Sequence, residues 1–467
     1  MKKMTIDSTW LLRFACGALV SGLGGCAANT DGASLSGAEP SLTEAGGALK
    51  CGNTASRELE PSTKFFVKSP EPGALTQIKQ LLKTKKYADA ARLTALEATP
   101  QASWFTKGTP SEVKSWVKDT MSDAARVHRV PTLVAYNLPY RDCSQYSAGG
   151  AVDGAAYKAW VDGFAKGIGS GKAVVILEPD GLGLIPYNTT IYGAEEWCKP
   201  TVTDSDGNQV PAPGATADER YELLQYAVQS ILEKAPGASV YIDGSHSFWL
   251  AVGESAHRIY RAGFKDGVQQ VQGFFLNVSN YQPTPELVQY GTWVSMCLAA
   301  GTPGVGPDWM RDADTGAPHF DWCRDQYDPA TNYTTANYSP EFAAEVTAAL
   351  EGLMDGASPR VKFVLDTGRN GAGAWTPDPN AGYPDAQTWC NAPQRGLGAR
   401  PTANTGNALA AAYLWIKTPG ASDGSCNRGL DGGTADPEWG GIVDPAAGDW
   451  FPDMALELTR LASPPLF

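Results

Sequence analysis

Apolar runs of strand length alternate with amphipathic segments along most of this 467-residue chain, and this alternation restricts the fold more than any other feature. The runs are nearly continuous in apolar and β-branched residues, which is typical of parallel strands covered by helices on both faces. They comprise residues 130–136, 173–179, 239–244, 273–280, 361–368 and 412–417. Helical patterns fall at residues 75–96, 111–127, 155–168, 219–233, 254–262 and 341–354. Six or more such units favour a closed barrel over an open sheet. We therefore predict an α/β fold, a distorted parallel (β/α) barrel of about seven strands that resembles a TIM barrel.

Composition excludes several classes of partner. The net charge of −13 argues against nucleic acid, because proteins that bind polyanions present a basic face. The four histidines form no short-spaced ligand set, so we expect neither a metal site nor a cofactor. The 14 Trp and 18 Tyr suit stacking on sugar rings, although ordinary core packing also uses such residues.

The N-terminus has the features of a targeting segment. Basic residues precede a short apolar run at residues 14–23, and a lipoprotein-like LGGC box ends at Cys26. We therefore predict a signal peptide over residues 1–26, which leaves both lipidation of Cys26 and ordinary cleavage open. Residues 27–56 are rich in Ser, Gly and Ala and read as a flexible linker, and residues 57–467 as a single domain. Export, to the extracellular space or the cell surface, would permit disulfides. Seven cysteines follow Cys26, and we expect Cys51 to be the unpaired one.

Polar side chains cluster where the predicted strands end. Two aspartates follow strands directly, and four further polar residues lie at or near the other strand ends; in chain order the six are Asp142, Asp180, Asp243, Asn277, Asp366 and Lys417. In a parallel barrel all of these ends open onto one face, where active sites are found. We therefore place the active site at the C-terminal ends of the strands.

The segment ILEPDGLG, residues 176–183, contains the most informative carboxyl group. Apolar neighbours at a strand end desolvate Asp180, which raises its pKa and keeps it protonated near neutrality. A protonated carboxyl is what a general acid requires. The plainer alternative is an Asp that caps the following helix. Glu178 lies two residues earlier and would point to the opposite side of the strand.

At this segment the chain resembles glycoside hydrolase family 6, which comprises inverting endoglucanases and cellobiohydrolases. The similar motifs keep the family's order and extend from about residue 64 to the C-terminus. They are YNLPYRDC (136–143), EPDGLG (178–183), YIDGSHSFWL (241–250), LNVSNY (276–281), DTGRNG (366–371), WCNAPQRGLGARPTANTG (389–406) and YLWIKTPGASDG (413–424). The resemblance implies inverting hydrolysis of β-1,4-glucosidic bonds, with β-1,4-glucan or cello-oligosaccharides as the partner, by a monomeric catalytic domain.

The resemblance also assigns catalytic roles. Asp180 matches the catalytic acid, and Asp142 matches the neighbouring Asp that favours the acid's protonated state. For Asp142 a salt bridge to Arg141 or Arg369, the supporting arginines, is an alternative that does not exclude this role. Tyr136 matches a tyrosine beneath the sugar that is cleaved.

On the water-attack side, Asp423 matches the candidate base, which would act directly or through a chain of waters. Ser147 aligns with a serine on a mobile loop that positions water. Ala421 departs from the family, which commonly has a sugar-contacting Glu at this position.

Sugar-binding residues and disulfides are implied in the same way. Trp249, His246, Trp389 and Lys417 match substrate-binding positions, and Asp243 and Asn277 would bind sugar or support His246. The family pattern suggests the disulfides Cys143–Cys198 and Cys390–Cys426, which leaves Cys297–Cys323 as the third pair by elimination.

Two loops decide between internal and terminal cleavage. The first, residues 143–157, is compact and resembles that of open-cleft endoglucanases, whereas the second, residues 422–449, is long enough to roof a cleft. We expect endo action, with an exo-acting cellobiohydrolase as the alternative within the family. A non-catalytic glucan-binding protein on the same fold is the alternative from another class. An ester hydrolase is excluded because the chain has no GxSxG motif.

Overall fold

The computed structural model describes residues 57–325, 339–430 and 433–467. The predicted signal peptide, the predicted linker, Cys26 and Cys51 lie outside the described residues, and their assignments stay predictions. In the part of the chain that the structure describes, no helix is both long and apolar enough to cross a bilayer.

Seven parallel strands form the main sheet and follow one another in chain order across it. The strands are β1 (Ser103–Phe105), β2 (Thr132–Ala135), β3 (Ala173–Leu177), β4 (Ala238–Asp243), β5 (Gly273–Leu276), β6 (Lys362–Asp366) and β7 (Ala410–Leu414). The sheet curls into a half-barrel, which confirms the α/β fold and the distorted parallel barrel of about seven strands, whereas the expected closure of the sheet is corrected. The described strands β1 and β7 form no ladder with each other. Their ends are joined instead by a hydrogen bond from the Ala102 N–H to the Trp415 carbonyl, at 3.0 Å.

Nine helices in the described ranges surround the sheet. They are α1 (Pro72–Lys83), α2 (Tyr87–Glu97), α3 (Pro110–Arg126), α4 (Gly154–Ile168), α5 (Ala217–Lys234), α6 (Val252–Gly263), α7 (Thr284–Gly301), α8 (Pro340–Met354) and α9 (Pro452–Arg460). Capping boxes fix two of the starts, because Thr109 and Glu112 at α3, and Thr216 and Glu219 at α5, exchange hydrogen bonds reciprocally.

Two helical features differ from the sequence analysis. The pattern predicted as one helix over residues 75–96 is two helices, α1 and α2, and Lys85 between them has a φ of 61°. Helix α7 was not predicted, because it is buried along most of its length and therefore lacks an amphipathic stripe.

The interior of the half-barrel is filled by side chains from the strands. Tyr136, Ile176, Tyr241, Phe275 and Val364 belong to one buried cluster on this inner side. A separate, larger core packs the outer side of the sheet against the helices. A ligand therefore has access only to the rim, where the strands end and the loops begin.

Among the described residues three disulfides connect loops and helices, and they are the three pairs expected. Cys143–Cys198 and Cys390–Cys426 lie in rim loops, whereas Cys297–Cys323 joins α7 to the 3₁₀ helix Phe320–Asp325.

Candidate active site

A cleft runs across the rim at the C-terminal ends of the strands and has two connected parts. The first chamber, of about 370 Å³, is lined by Asp142, Asp180, Asp423, Trp249 and Trp389 among others. The second chamber, of about 400 Å³, lies towards α1 and the end of the second loop. Four residues line both chambers and mark their junction, namely Trp104, Tyr136, Ser147 and Lys417. The cleft thus offers aromatic faces and carboxyl groups together, as a polysaccharide site requires.

Asp180 follows β3 in a left-handed backbone conformation, with a φ of 62°, that turns its side chain into the first chamber. Burial raises its pKa well above the usual aspartate range, and the negative charges of Asp243 and Asp142 add to the shift. Lys417 opposes this shift without reversing it. A raised pKa favours the protonated form of Asp180, which is the form that a general acid needs.

Asp142 lies in the short 3₁₀ segment Arg141–Ser144 and also has a positive φ, of 54°. Burial raises its pKa, while the Ser147 N–H, which donates to Oδ2 at 2.7 Å, pulls the pKa down. Arg141 is not its ion-pair partner. The Arg141 guanidinium donates to the carbonyls of Thr106, Tyr136 and Ser147. These hydrogen bonds hold the start of the first loop in place.

Asp423 is buried and fully engaged in polar contacts. Its Oδ2 accepts from Arg369 at 2.8 Å and from the Asn391 N–H at 2.9 Å, and Lys417 Nζ lies 3.1 Å from Oδ1. Burial alone would raise its pKa, but the charges of Arg369 and Lys417 and the Asn391 N–H hold the pKa below the usual aspartate value. The pKa of Asp423 is thus shifted down in the same cleft in which the pKa of Asp180 is shifted up. Arg369 serves Asp423 rather than Asp142.

Aromatic side chains form the walls of the first chamber. Trp249 and Trp389 line it as expected, and Trp389 packs against Tyr146 of the first loop. Trp197 and Phe248 line it too and are about half exposed, at 58% and 48%. Neither was predicted, because nothing in a single sequence distinguishes an exposed aromatic in a loop from a packed one.

Three of the predicted polar residues have fixed positions at the cleft. His246 lines the first chamber, and burial lowers its pKa to about 3, so the ring is neutral and its Nδ1 accepts the Phe248 N–H. Tyr136 lies at the junction with its ring edge-on to Trp104, 5.6 Å between centroids. Lys417 reaches the junction from the end of β7.

Asp243 and Asn277, expected among the substrate-binding residues, do not line either chamber, and the expectation of sugar contact is corrected. Both are buried, and their polar atoms are used within the protein. The Asp243 carboxylate accepts the N–H groups of Leu182, Gly183 and Ser245. Asp243 thereby holds the loop that carries Asp180.

Asn277 and Asp366 perform similar tasks at the ends of β5 and β6. Asn277 donates to the Asp366 carbonyl at 2.9 Å and accepts the Gln282 N–H. The Asp366 carboxylate accepts the N–H of Lys417 at 2.8 Å and so fixes where that lysine leaves β7. These residues support the residues of the cleft without facing it.

Glu178 lies behind the cleft, on the opposite side of the strand from Asp180. Its carboxylate accepts the N–H groups of Asn137 and Leu138, and burial raises its pKa to about 7. Arg220 is also buried there, and it donates to the carbonyl of Pro139 after β2 and to those of Gly181 and Leu184 after β3. One guanidinium thus joins the loops that carry Asp142 and Asp180.

One cluster of metal-ligating residue types exists among the described residues. The sulfur of Cys426 and carboxylate oxygens of Asp436 and Asp444 lie within 4.8 Å of one another. Cys426 is bonded to Cys390, however, and Asp436 is paired with buried Arg428 at 2.5 Å. A disulfide sulfur is not a thiolate ligand, so these residues belong to the internal packing of the second loop.

Comparisons with known proteins agree with the fold and with the geometry of the cleft. The model of the family described as glycosyl hydrolases family 6 matches residues 60–462. Endoglucanase A of Cellulomonas fimi is 30% identical over 405 residues, which cover 86% of this chain and 62% of that protein. Endoglucanase 1 of Streptomyces halstedii is 32% identical over 348 residues, 74% of this chain and 77% of that protein. The chain thus spans about three-fifths of the length of the Cellulomonas relative.

Solved structures agree on the fold. The endoglucanase Cel6 of Mycobacterium tuberculosis, solved in complex with methyl-cellobiosyl-4-deoxy-4-thio-β-D-cellobioside, is 28% identical with a TM-score of 0.56. The match covers 86% of this chain and 98% of that one. A cellobiohydrolase from Humicola insolens shares the fold at 20% identity, with a TM-score of 0.53 and coverage of 86% and 97%.

Proposed function

Since this chain belongs to glycosyl hydrolases family 6, we propose that it hydrolyses β-1,4-glucosidic bonds in cellulose and related β-glucans, with inversion at the anomeric carbon. One observation supports this most strongly. A carboxyl group whose pKa is raised, Asp180, and one whose pKa is lowered, Asp423, line the same aromatic-walled chamber. Protonation of a glycosidic oxygen needs the first, and deprotonation of an attacking water needs the second.

The steps then follow from the positions of the groups. Asp180 donates its proton to the departing glycosidic oxygen while its C–O bond breaks. Water attacks the anomeric carbon from the opposite face and loses a proton towards Asp423. The contacts of Asp423 with Arg369, Lys417 and the Asn391 N–H, joined by the Tyr281 hydroxyl at 3.4 Å, make it a weak base. Its negative charge would also stabilise the positive charge that develops on the sugar ring. Tyr136 lies at the junction of the chambers, and by the family resemblance it would lie beneath the sugar that is cleaved.

Hydrolysis of barley β-glucan followed by proton NMR tests this proposal. We expect reducing ends to form, with the α-anomer appearing first within minutes of mixing. Binding of the glucan without release of reducing ends would identify a non-catalytic binding protein. A β-anomer appearing first would exclude inversion.

We further propose that cleavage is internal. The first loop is compact, and the Cellulomonas and Streptomyces relatives are named endoglucanases, whereas a 1,4-β-D-glucan cellobiohydrolase of Pyricularia oryzae is 26% identical. The viscosity of carboxymethylcellulose should therefore fall early, before many reducing ends form. Release of cellobiose with viscosity almost unchanged would show exo action instead.

Export is proposed as well, to the extracellular space or the cell surface. The three disulfides support it, because disulfides persist in oxidising compartments. Protein recovered outside the cytoplasm should yield all three linked pairs on non-reducing peptide mapping. Free thiols at these six cysteines would contradict it.

A further inference from the structure

An ion pair lines the second chamber, and neither of its two residues was among the predicted site residues. Lys68 and Glu71, in the segment just before α1, both line this chamber. Lys68 Nζ lies 2.6 Å from Glu71 Oε1 and donates to Thr418 Oγ1 at 3.0 Å. Their side chains are 15% and 35% exposed, so the pair faces the chamber while its base is packed.

The carboxylate of Glu71 has no structural task that accounts for this position. Glu71 is the N-cap residue of α1, yet its side chain makes no capping hydrogen bond. Its backbone N–H donates to Glu97 Oε2 at 2.8 Å, and Glu97 is buried. The backbone at Glu71 is therefore anchored, and the carboxylate is held at the chamber surface with one oxygen, Oε1, on Lys68.

Aromatic walls complete the second chamber. Trp104 donates through Nε1 to the Ile416 carbonyl at 2.8 Å, and Trp450 donates to Gln77 Oε1 at 2.7 Å, so both rings are fixed. A Cβ atom on Gly420 would lie 2.7 Å from the Trp450 ring, so the absence of a side chain there lets the ring pack closely. Two fixed rings beside a charged pair suit a pyranose, whose C–H faces pack on aromatics and whose edge hydroxyls need hydrogen-bond partners.

Ala421 lies in the same chamber and supplies only a methyl group. The family that the chain resembles commonly has a sugar-contacting Glu at this position. The carboxylate of this chamber comes instead from Glu71, on a segment about 350 residues earlier in the chain.

We propose that Glu71 and Lys68 form a glucose subsite on the side of the cleft away from the leaving group. The assignment of sides rests on the proposed function: Asp180 lines only the first chamber, and a general acid lies on the side of the leaving group. The glucose unit next to the one cleaved then enters the second chamber. Glu71 accepts from its hydroxyls and Lys68 donates to them.

The test uses the full chain and 2,4-dinitrophenyl β-cellobioside, whose aryl group departs towards the first chamber and whose outer glucose enters the second. Glu71→Gln keeps the shape of the side chain and removes its charge. We expect kcat/KM to fall about 10- to 100-fold, the effect of losing a hydrogen bond to a charged group. The matched control is Glu351→Gln on the exposed surface of α8, which should leave kcat/KM unchanged.

A second variant separates sugar binding from a structural effect. Adding Ala421→Glu to Glu71→Gln returns a carboxylate to the same chamber from its other wall, and should restore kcat/KM by about tenfold. Unchanged kcat/KM in Glu71→Gln, or a loss that Ala421→Glu does not restore, would overturn the subsite while the wild type stays active. A wild type that releases neither dinitrophenolate nor reducing ends would overturn the proposed function, and the subsite with it.

Discussion

Asp180 and Asp423 differ in what surrounds each carboxyl, and this difference determines what each can do. Asp180 is buried beside three negative neighbours, Asp243, Asp142 and Asp423, whereas Asp423 itself has two cations and a backbone N–H as partners. The two pKa values are shifted in opposite directions, which is the arrangement that an acid and a base in one site require. The sequence predicted the first environment from apolar neighbours at a strand end. It could not predict the second, because Arg369, Asn391 and Lys417 meet Asp423 only in the folded chain.

Asp180→Asn should act selectively on poor leaving groups. Activity on barley glucan should fall by about 10²–10⁴-fold, since a sugar hydroxyl cannot depart without a proton. A cello-oligosaccharide with a dinitrophenolate leaving group needs little protonation, so the same variant should lose far less on it. Asp423→Asn should impair both substrates, because the water must be activated whichever group departs. Equal losses on both substrates for Asp180→Asn would show that another carboxyl is the acid.

The pH dependence of kcat/KM should report the coupling between Asp180 and Asp142. In the proposed mechanism activity requires protonated Asp180, so activity should be lost as pH rises through the raised pKa of that carboxyl. The negative charge of Asp142 contributes to that raised pKa. Asp142→Asn should therefore move the alkaline limb of the profile to lower pH. Asp314→Asn, on an exposed loop, serves as the control, and an alkaline limb at the same pH in both variants would contradict the coupling.

Among the structural elements, the disulfides differ in how close they lie to the chemistry. Cys390–Cys426 flanks Asn391, whose N–H binds Asp423 and whose Nδ2 donates to Asp444 at 2.8 Å. Cys297–Cys323 lies between α7 and a 3₁₀ helix and includes no residue of the cleft.

Removing either of these disulfides by paired Cys→Ser substitutions should lower the free energy of unfolding by about 2–5 kcal/mol. Only the Cys390→Ser/Cys426→Ser variant should also lose much of its kcat at a temperature where both variants are folded. Denaturant melts and assays on barley glucan would measure the two effects. Equal kcat in the two variants would show that Asn391 keeps its place without the bridge.

Elements with a strong local pattern were predicted well, and the exceptions have physical reasons. The boundaries of α3, α4 and α5 lie within two residues of the predicted ones, because each has an apolar stripe and an N-terminal cap. Strand β1 was missed because its three residues are too short to show a pattern. Trp104 was missed for the same reason, since it lies on that strand and at the junction of the two chambers.

At the scale of the whole molecule, the cleft unites residues that are remote in sequence. The polar residues at the C-terminal ends of the predicted strands located the active-site face, and the resemblance supplied the catalytic candidates. Neither could show that Lys68, Trp104 and Trp450 share one chamber. That arrangement results from the curl of the sheet, which brings the ends of β1 and β7 together.

The buried guanidinium of Arg220 has a consequence for how the protein responds to heat. Its acceptors lie in two loops, so neither loop can open locally without leaving a buried charge short of partners. Local opening of the catalytic rim should therefore require almost as much free energy as melting of the core. Loss of activity on heating should then coincide with the loss of tertiary structure followed by near-ultraviolet circular dichroism. In an Arg220→Met variant the two midpoints should separate, with activity lost first.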